Sequence, residues 1–265
     1  MLRYERMISI IIATYNGEKY IEKTIKSALA QKDVDIEIIV VDDASLDNSY
    51  IILTELSKCD SRIKVLRNDI NIGFCKTVNR ALRECKGEYV IILDQDDLLQ
   101  PDHCEKMIKE FDNETVMVFC DSIYINGEDS VIDDHEHCVH REVTVEDLAK
   151  GNYVPVQGLM IAGNILKKVG GYPERDEFPN YGEYDTWIRM SEYGRIIFCD
   201  SVKAFYRRHE SNMTNDFNSK NVRIKLERYY WQCKKRLLSN KKVDTTTKIK
   251  IIFSTILGMI KAIVR

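Results

Sequence analysis

Three segments of this chain place carboxylates and amides directly after apolar runs. Asp94-Gln95-Asp96, with Asp97 beside it, follows Tyr89–Leu93. An Asp-x-Asp pair at the end of a buried strand suits a hard divalent cation such as Mg²⁺ or Mn²⁺. Such an ion takes oxygen ligands and shares them between one or two carboxylates and a substrate diphosphate. There it would neutralise the charge that grows on a departing diphosphate. Asp42-Asp43-Ala44-Ser45 follows Ile36–Val41, and a carboxylate in that place can accept the ring N–H of a uracil. Thr14-Tyr15-Asn16-Gly17 follows Ile8–Ala13. Asp, Asn and Ser are also ordinary turn formers and N-caps, and Asp47 suits an N-cap. The recurrence of such groups at three strand ends is what points to a site.

The elements that must position these groups alternate. Ile8–Ala13, Ile36–Val41, Ile63–Leu66, Tyr89–Leu93 and Val116–Cys120 are short, rich in Ile and Val and without polar alternation, which predicts buried strands. Glu18–Gln31, Asp47–Lys58 and Phe74–Lys86 carry apolar residues at helical spacing. Repeated β-α order predicts an α/β fold with a mostly parallel, doubly wound sheet, and ligands of such sheets lie beyond the carboxyl ends of the strands. From Asp121 to Val145 a long loop with short strands is expected. Its tract from Asp133 to His140 looks superficially like a metal site but matches no zinc spacing, so a solvated loop is expected there. Asn164–Val169 and Glu183–Tyr193 read as helices and Arg195–Cys199 as a strand. Beyond Asn218 the chain is basic and helical.

A length of 265 residues with 44% hydrophobic composition fits one α/β domain. The net charge of −3 gives no footprint for nucleic acid. Eight cysteines without a CxxC pair are expected to be reduced thiols. Met1–Met7 holds two arginines and no long apolar stretch, so a cytoplasmic location is expected. In Lys248–Arg265, Ile249, Ile252, Ile256, Met259 and Ile263 recur at helical spacing, widened by Phe253, Leu257 and Ile260. This stretch is too short and interrupted to span a bilayer. A basic amphipathic helix peripheral to the inner face of the cell membrane is one expectation, and packing against protein is the other.

The run from Ile8 to Asp102 resembles the inverting family 2 glycosyltransferases of the GT-A fold. The matching pieces are Ala13-Thr14-Tyr15-Asn16, the run from Val40 to Asp47, Asn71-Ile72-Gly73, Asn79, Lys86-Gly87-Glu88-Tyr89 and the run from Leu93 to Asp97, with Pro101 after them. The resemblance implies a Rossmann-like GT-A domain over 1–217, with a nucleotide-sugar-binding half (1–100) and an acceptor-binding half (101–217). A helical, amphipathic tail over 218–265 follows. It implies that Thr14 and Tyr15 line a base pocket, with Asn16 and Gln95 beside them at the strand ends, and that Asp43 holds the uracil edge. Asp94 would approach the donor ribose or sugar, and Asp96 would ligate the metal. Lys76 lies near where the family often places a basic residue facing the donor. Gly170-Gly171-Tyr172-Pro173 resembles the turn before the acceptor site. Glu183-Tyr184-Asp185-Thr186-Trp187 resembles the segment with the catalytic base, but Gly182 stands where the family usually has Glu. Glu183 is therefore the expected base and Asp185 its alternate. His209, after Arg207-Arg208, matches a histidine on a loop that closes over the donor diphosphate or metal.

The resemblance thus implies transfer of a hexosyl or N-acetylhexosaminyl group from a UDP-sugar to a glycan or lipid-linked acceptor, with Mn²⁺ or Mg²⁺, in cell-surface polysaccharide synthesis. Two alternatives stand beside it. A nucleotidyltransferase would want a Gly-rich basic loop after the first strand, and Thr14-Tyr15-Asn16-Gly17 has none. A degenerate, non-catalytic transferase-like binding protein is suggested only by the shifted Glu183-Tyr184-Asp185.

Overall fold

The computed structural model describes residues 4–135, 141–178, 180–212, 219–240 and 243–264. Most of the expected tract from Asp133 to His140 lies outside them. Four strands, β1 (Tyr4–Thr14), β2 (Val34–Asp42), β3 (Ile63–Arg67) and β4 (Tyr89–Ile92), alternate with helices α1 (Ile21–Leu29), α2 (Ser49–Cys59) and α3 (Phe74–Glu84). The strands pair in parallel in the order β3-β2-β1-β4, with Ile8 opposite both Ile36 and Tyr89. Their side chains divide between two apolar layers. Ile8, Ile10, Ile12, Ile38 and Val40 face one layer with Ile21 and Ile25 of α1, while Ile11, Ile39 and Val41 face the other with Val78 and Leu82 of α3. Each such residue is buried, a contribution of roughly 1.5–3 kcal/mol apiece. Burial on both faces is why these strands read as unbroken Ile/Val runs.

The second half supplies β5 (Leu98–Leu99), α4 (His103–Lys109), β6 (Thr115–Ile125), β7 (Val131–His135), α5 (Val145–Lys150), β8 (Met160–Ala162), α6 (Gly163–Lys168), α7 (Glu183–Met190) and β9 (Arg195–Arg207). Here the sheet is mixed, continuing β4-β8-β6-β9-β5, with β6 and β9 parallel and the β4–β8, β6–β8, β6–β7 and β5–β9 pairs antiparallel. The mostly parallel expectation therefore holds for the first half alone. β8 lies between β4 and β6 and runs antiparallel to both, and β5 lies at the far edge, antiparallel to β9. β6 also runs to Ile125, beyond the expected end at Cys120, because its pairing with β9 continues through Tyr206 and Arg207. Two long helices, α8 (Lys220–Ser239) and α9 (Thr245–Val264), close the chain. Among the described residues no helix is long and apolar enough to cross a membrane.

Candidate active site

The carboxyl ends of β1, β2 and β4 open on one cavity of about 1100 Å³, lined by Thr14, Tyr15, Asn16, Asp43, Asp94, Gln95, Asp96, Glu183 and His209 among others. Side chains lock the three strand ends together. Gln95 Oε1 accepts from the Thr14 hydroxyl (2.6 Å) and the Tyr15 backbone N–H (2.9 Å). Asn16 donates its backbone N–H to Ser45 Oγ (3.0 Å) and accepts from the Leu46 N–H (2.8 Å). Asn16 and Ala44 both sit in the left-handed region, at φ 53° and 60°. That is ordinary for Asn and strained for Ala, and strain of this kind gathers at functional sites. Asp47 accepts from the Ser49 N–H at the start of α2 (2.9 Å) and does not line the cavity, in keeping with a capping role.

Asp43 is buried, yet its carboxylate accepts three hydrogen bonds, from Asn68 Nδ2 (2.6 Å) and the backbone N–H groups of Ile72 and Gly73 (2.9 Å each). A carboxylate offers about four lone-pair directions, so one is left for a donor in the cavity. Gly73 takes φ 87°, which lets the loop before α3 aim both N–H groups inward.

After β4, Asp94, Asp96 and Asp97 crowd together. Burial first, then the neighbouring Asp96 and Glu183 charges, raise Asp94 above the usual carboxylate range. Burial and the Asp96 and Asp94 charges raise Asp97 as well. Asp96 Oδ2 lies 2.7 Å from His209 Nε2, and His209 Nδ1 lies 2.9 Å from the Ser211 hydroxyl. Asn212 Nδ2 also reaches Asp96, at 3.5 Å.

Arg207, at the end of β9, holds this loop from beneath. It is wholly buried. Its backbone N–H donates to Asp97 Oδ1 (2.9 Å), its Nε–H to the Asp96 carbonyl (2.7 Å) and its Nη1 to the Asn126 carbonyl (2.9 Å). It pairs with Asp129 at 2.5 Å, and its guanidinium lies 4.7 Å from the centre of the Tyr20 ring. Sequence reasoning noted Arg207 only as part of the run that leads to His209 and gave it no contact of its own. The available signal was an arginine, followed by Arg208 and His209, at the end of an apolar stretch.

Glu183 opens α7 and faces the cavity, and burial raises its carboxyl above the usual range. Asp185 is turned away. It pairs with Arg175 (3.0 Å) and Arg189 (2.8 Å) and is absent from the cavity lining, so the two candidate bases occupy different surroundings. Arg189 also donates to the carbonyls of Val169 and Gly171, fixing α7 to the Gly170-Gly171 turn. A Cβ at Gly182 would lie 2.7 Å from the Tyr172 ring and 2.9 Å from Cys75 Sγ, which is a physical reason for glycine there. Lys76 likewise does not line the cavity: it pairs with Asp176 at 2.6 Å on the surface. Tyr153, Tyr181, Tyr229 and Tyr230, which sequence reasoning did not single out, line the cavity's other wall.

The donor set suits a divalent ion that also binds a diphosphate, because such ions need only one or two protein ligands alongside phosphate oxygens. Among the described residues no group of three or more His, Cys, Asp or Glu side chains gathers as a metal cluster, so Asp96 and His209 would form a partial shell.

Residues 9–162 match the family model described as glycosyl transferase family 2. The chain belongs to that family. As a glycosyltransferase it leaves the nucleotidyltransferase alternative without support. It is 33% identical over 209 residues to TuaG of Bacillus subtilis, whose name assigns it to teichuronic acid biosynthesis, covering 78% of this chain and 81% of TuaG. Its fold is similar to that of S. aureus TarS, solved in complex with UDP-GlcNAc (TM-score 0.72, 22% identity, 96% of this chain and 73% of that one). It is also similar to the mannosyltransferase PcManGT of Pyrobaculum calidifontis, solved with GDP-Man and Mn²⁺ (TM-score 0.68, 16% identity, 98% and 73%). These likenesses show the GT-A fold. The family match covers β1 to β8, whereas Glu183, Arg207 and His209 lie beyond it.

Proposed function

We propose that this glycosyltransferase moves a hexosyl or N-acetylhexosaminyl group from a UDP-sugar to an acceptor hydroxyl, with inversion, in the assembly of a cell-surface polysaccharide. The observation that carries this is the convergence of Asp43, Asp94, Asp96, His209 and Glu183, drawn from separate segments of the chain, on one cavity. The polysaccharide assignment rests on the likeness to TuaG. The nucleotide donor has the support of UDP-GlcNAc and GDP-Man in the two solved relatives.

In this assignment the cavity divides between residues 1–100, which hold the donor, and residues 101–217, which hold the acceptor. Thr14, Tyr15 and Asn16 border the base, with Gln95 holding the Thr14 hydroxyl and the Tyr15 backbone, and Asp43 accepts the uracil ring N–H on its remaining lone pair. Asp94 faces the ribose or sugar. Asp96 and His209 would hold Mn²⁺ or Mg²⁺, which when bound offsets the negative charge growing on the diphosphate. Glu183 accepts the proton of the acceptor hydroxyl. That oxygen bonds to the anomeric carbon as the bond to the diphosphate oxygen breaks, the electron pair leaving with the diphosphate. Attack from the face opposite the leaving group inverts the anomeric centre. A carboxyl raised by burial is a stronger base than an exposed one, which suits proton removal from an alcohol. Asp185, held by two arginines, positions α7.

Calorimetric titration of UDP into the wild type and Asp96→Ala, with and without Mn²⁺, tests the donor site. Binding that needs Mn²⁺ and is lost in Asp96→Ala is expected. Equal, metal-independent binding in both would overturn the metal assignment. Failure of UDP, dTDP and GDP alike to bind would overturn the nucleotide-sugar donor.

A further inference from the structure

Helix α9 wears its apolar face outward. It packs on α8 and α5 through Ile251, Thr255 and Ala262, which are buried. Ile249, Ile252, Phe253, Ile256, Leu257 and Ile260 are 41% to 69% exposed. At about 100° per residue these six fall in one contiguous arc, and the exposed Lys250 and Lys261 fall together along one border of it. A helix that buries one isoleucine, a threonine and an alanine while showing six large apolar side chains has a surface that is unpartnered among the described residues, of a kind that marks contact with another phase or protein.

Charge decides which. Residues 218–265 hold thirteen Lys and Arg against two acidic residues, whereas residues 1–217 hold 26 against 40. Helix α9 itself contains Lys248, Lys250 and Lys261 and no acid. Two copies meeting through this face would bring like charges together. An anionic lipid surface takes both the apolar stripe and its basic border.

We propose that α9 docks flat on an anionic bilayer, its stripe among the acyl chains and its lysines at the headgroups. This inference stands apart from the donor chemistry above. It bears on the acceptor through α8, because Leu226, Tyr229 and Tyr230 of α8 line the cavity while α9 packs on the same helix. Docking through α9 would therefore hold the α8 side of the cavity near the lipid surface, where a lipid-linked acceptor would be presented.

Flotation of the full chain with vesicles of phosphatidylcholine and phosphatidylglycerol in two-to-one ratio, against phosphatidylcholine alone, tests this. The wild type should float at least tenfold better with the anionic vesicles. Phe253→Glu/Leu257→Glu should lose flotation, and Lys250→Glu/Lys261→Glu should weaken it about fivefold or more per charge. Both pairs should keep the wild-type melting temperature and UDP titration. If the first pair fails to fold, Ile256→Ser/Ile260→Ser is read in its place. Flotation unchanged by these substitutions overturns the proposal. So does an absence of flotation, with or without a dimer in light scattering that Phe253→Glu/Leu257→Glu dissociates. In the dimer case a second copy covers the face.

Discussion

Asp96 and His209, 113 residues apart, meet with Oδ2 and Nε2 separated by 2.7 Å. The contact depends on β5, whose Leu98 and Leu99 pair with Phe205 and Ala204 of β9, so that the loop after β4 and the loop after β9 leave the sheet side by side. If the pair is the protein's share of a metal shell, His209→Ala should weaken Mn²⁺-dependent UDP binding about tenfold or more, a loss typical of removing a metal-site partner. Without Mn²⁺ neither protein should bind UDP. Titration calorimetry at matched ionic strength checks both; an unaltered metal-dependent affinity would remove His209 from the shell.

Arg207 should prove a positioning residue with a large structural share. Arg207→Met leaves the Asp96 and Asn126 carbonyls without their buried donor, at about 1–3 kcal/mol each, while the backbone bond to Asp97 and the Lys23 pairing of Asp129 remain. At about 2–4 °C per kcal/mol the melting temperature should fall by roughly 10 °C. Arg207→Lys keeps the charge but not the fork that reaches the Asp96 and Asn126 carbonyls. It should therefore lower Mn²⁺-dependent UDP affinity even where the protein remains folded. Calorimetric melting and UDP titration on the two variants separate these effects.

Glu183 and Asp185 should part company. Glu183→Gln should reduce kcat by about 10²–10⁴ while UDP affinity and melting temperature stay near wild type. Asp185→Ala should instead destabilise the fold by about 3–5 kcal/mol, because it leaves the buried Arg189 unpaired. The base must be ionised to accept a proton, so activity is lost as pH falls through the Glu183 pKa. Burial raises that pKa, so the acid limb of kcat/KM should lie above the ordinary glutamate value of about 4.3. A limb at or below that value would argue against Glu183 as the base.

Gly182→Ala should destabilise by about 1–3 kcal/mol through overpacking, since the new methyl meets the Tyr172 ring and Cys75 Sγ. Gly182 has φ −129°, so backbone strain adds nothing. Combining it with Cys75→Ala removes one of the two obstacles, and thermal unfolding should show the double variant losing less than the sum of its single changes. Simple additivity would mean that the clash is relieved elsewhere.

The sequence by itself determined the first half of the fold and most of the cavity wall at its strand ends. Strands buried on both faces need unbroken Ile/Val runs, helices need their spacing, and polar residues directly after such strands face one edge of the sheet. These are local constraints, written within about ten residues of the groups they place. Thr14, Asp43, Asp94 and Asp96 are therefore assigned to one edge by local pattern alone. Only the tertiary structure decided the rest. The antiparallel insertion of β8, the seating of Arg207 under the Asp96 loop and the surface pairing of Lys76 with Asp176 depend on contacts that no nearby residue pattern announces. Most of them cross large sequence separations, and local periodicity does not encode such contacts. Helix α9 shows the same divide. Its period marked the apolar stripe, but which face would be buried depended on α8 and α5, and those helices cover Ile251, Thr255 and Ala262.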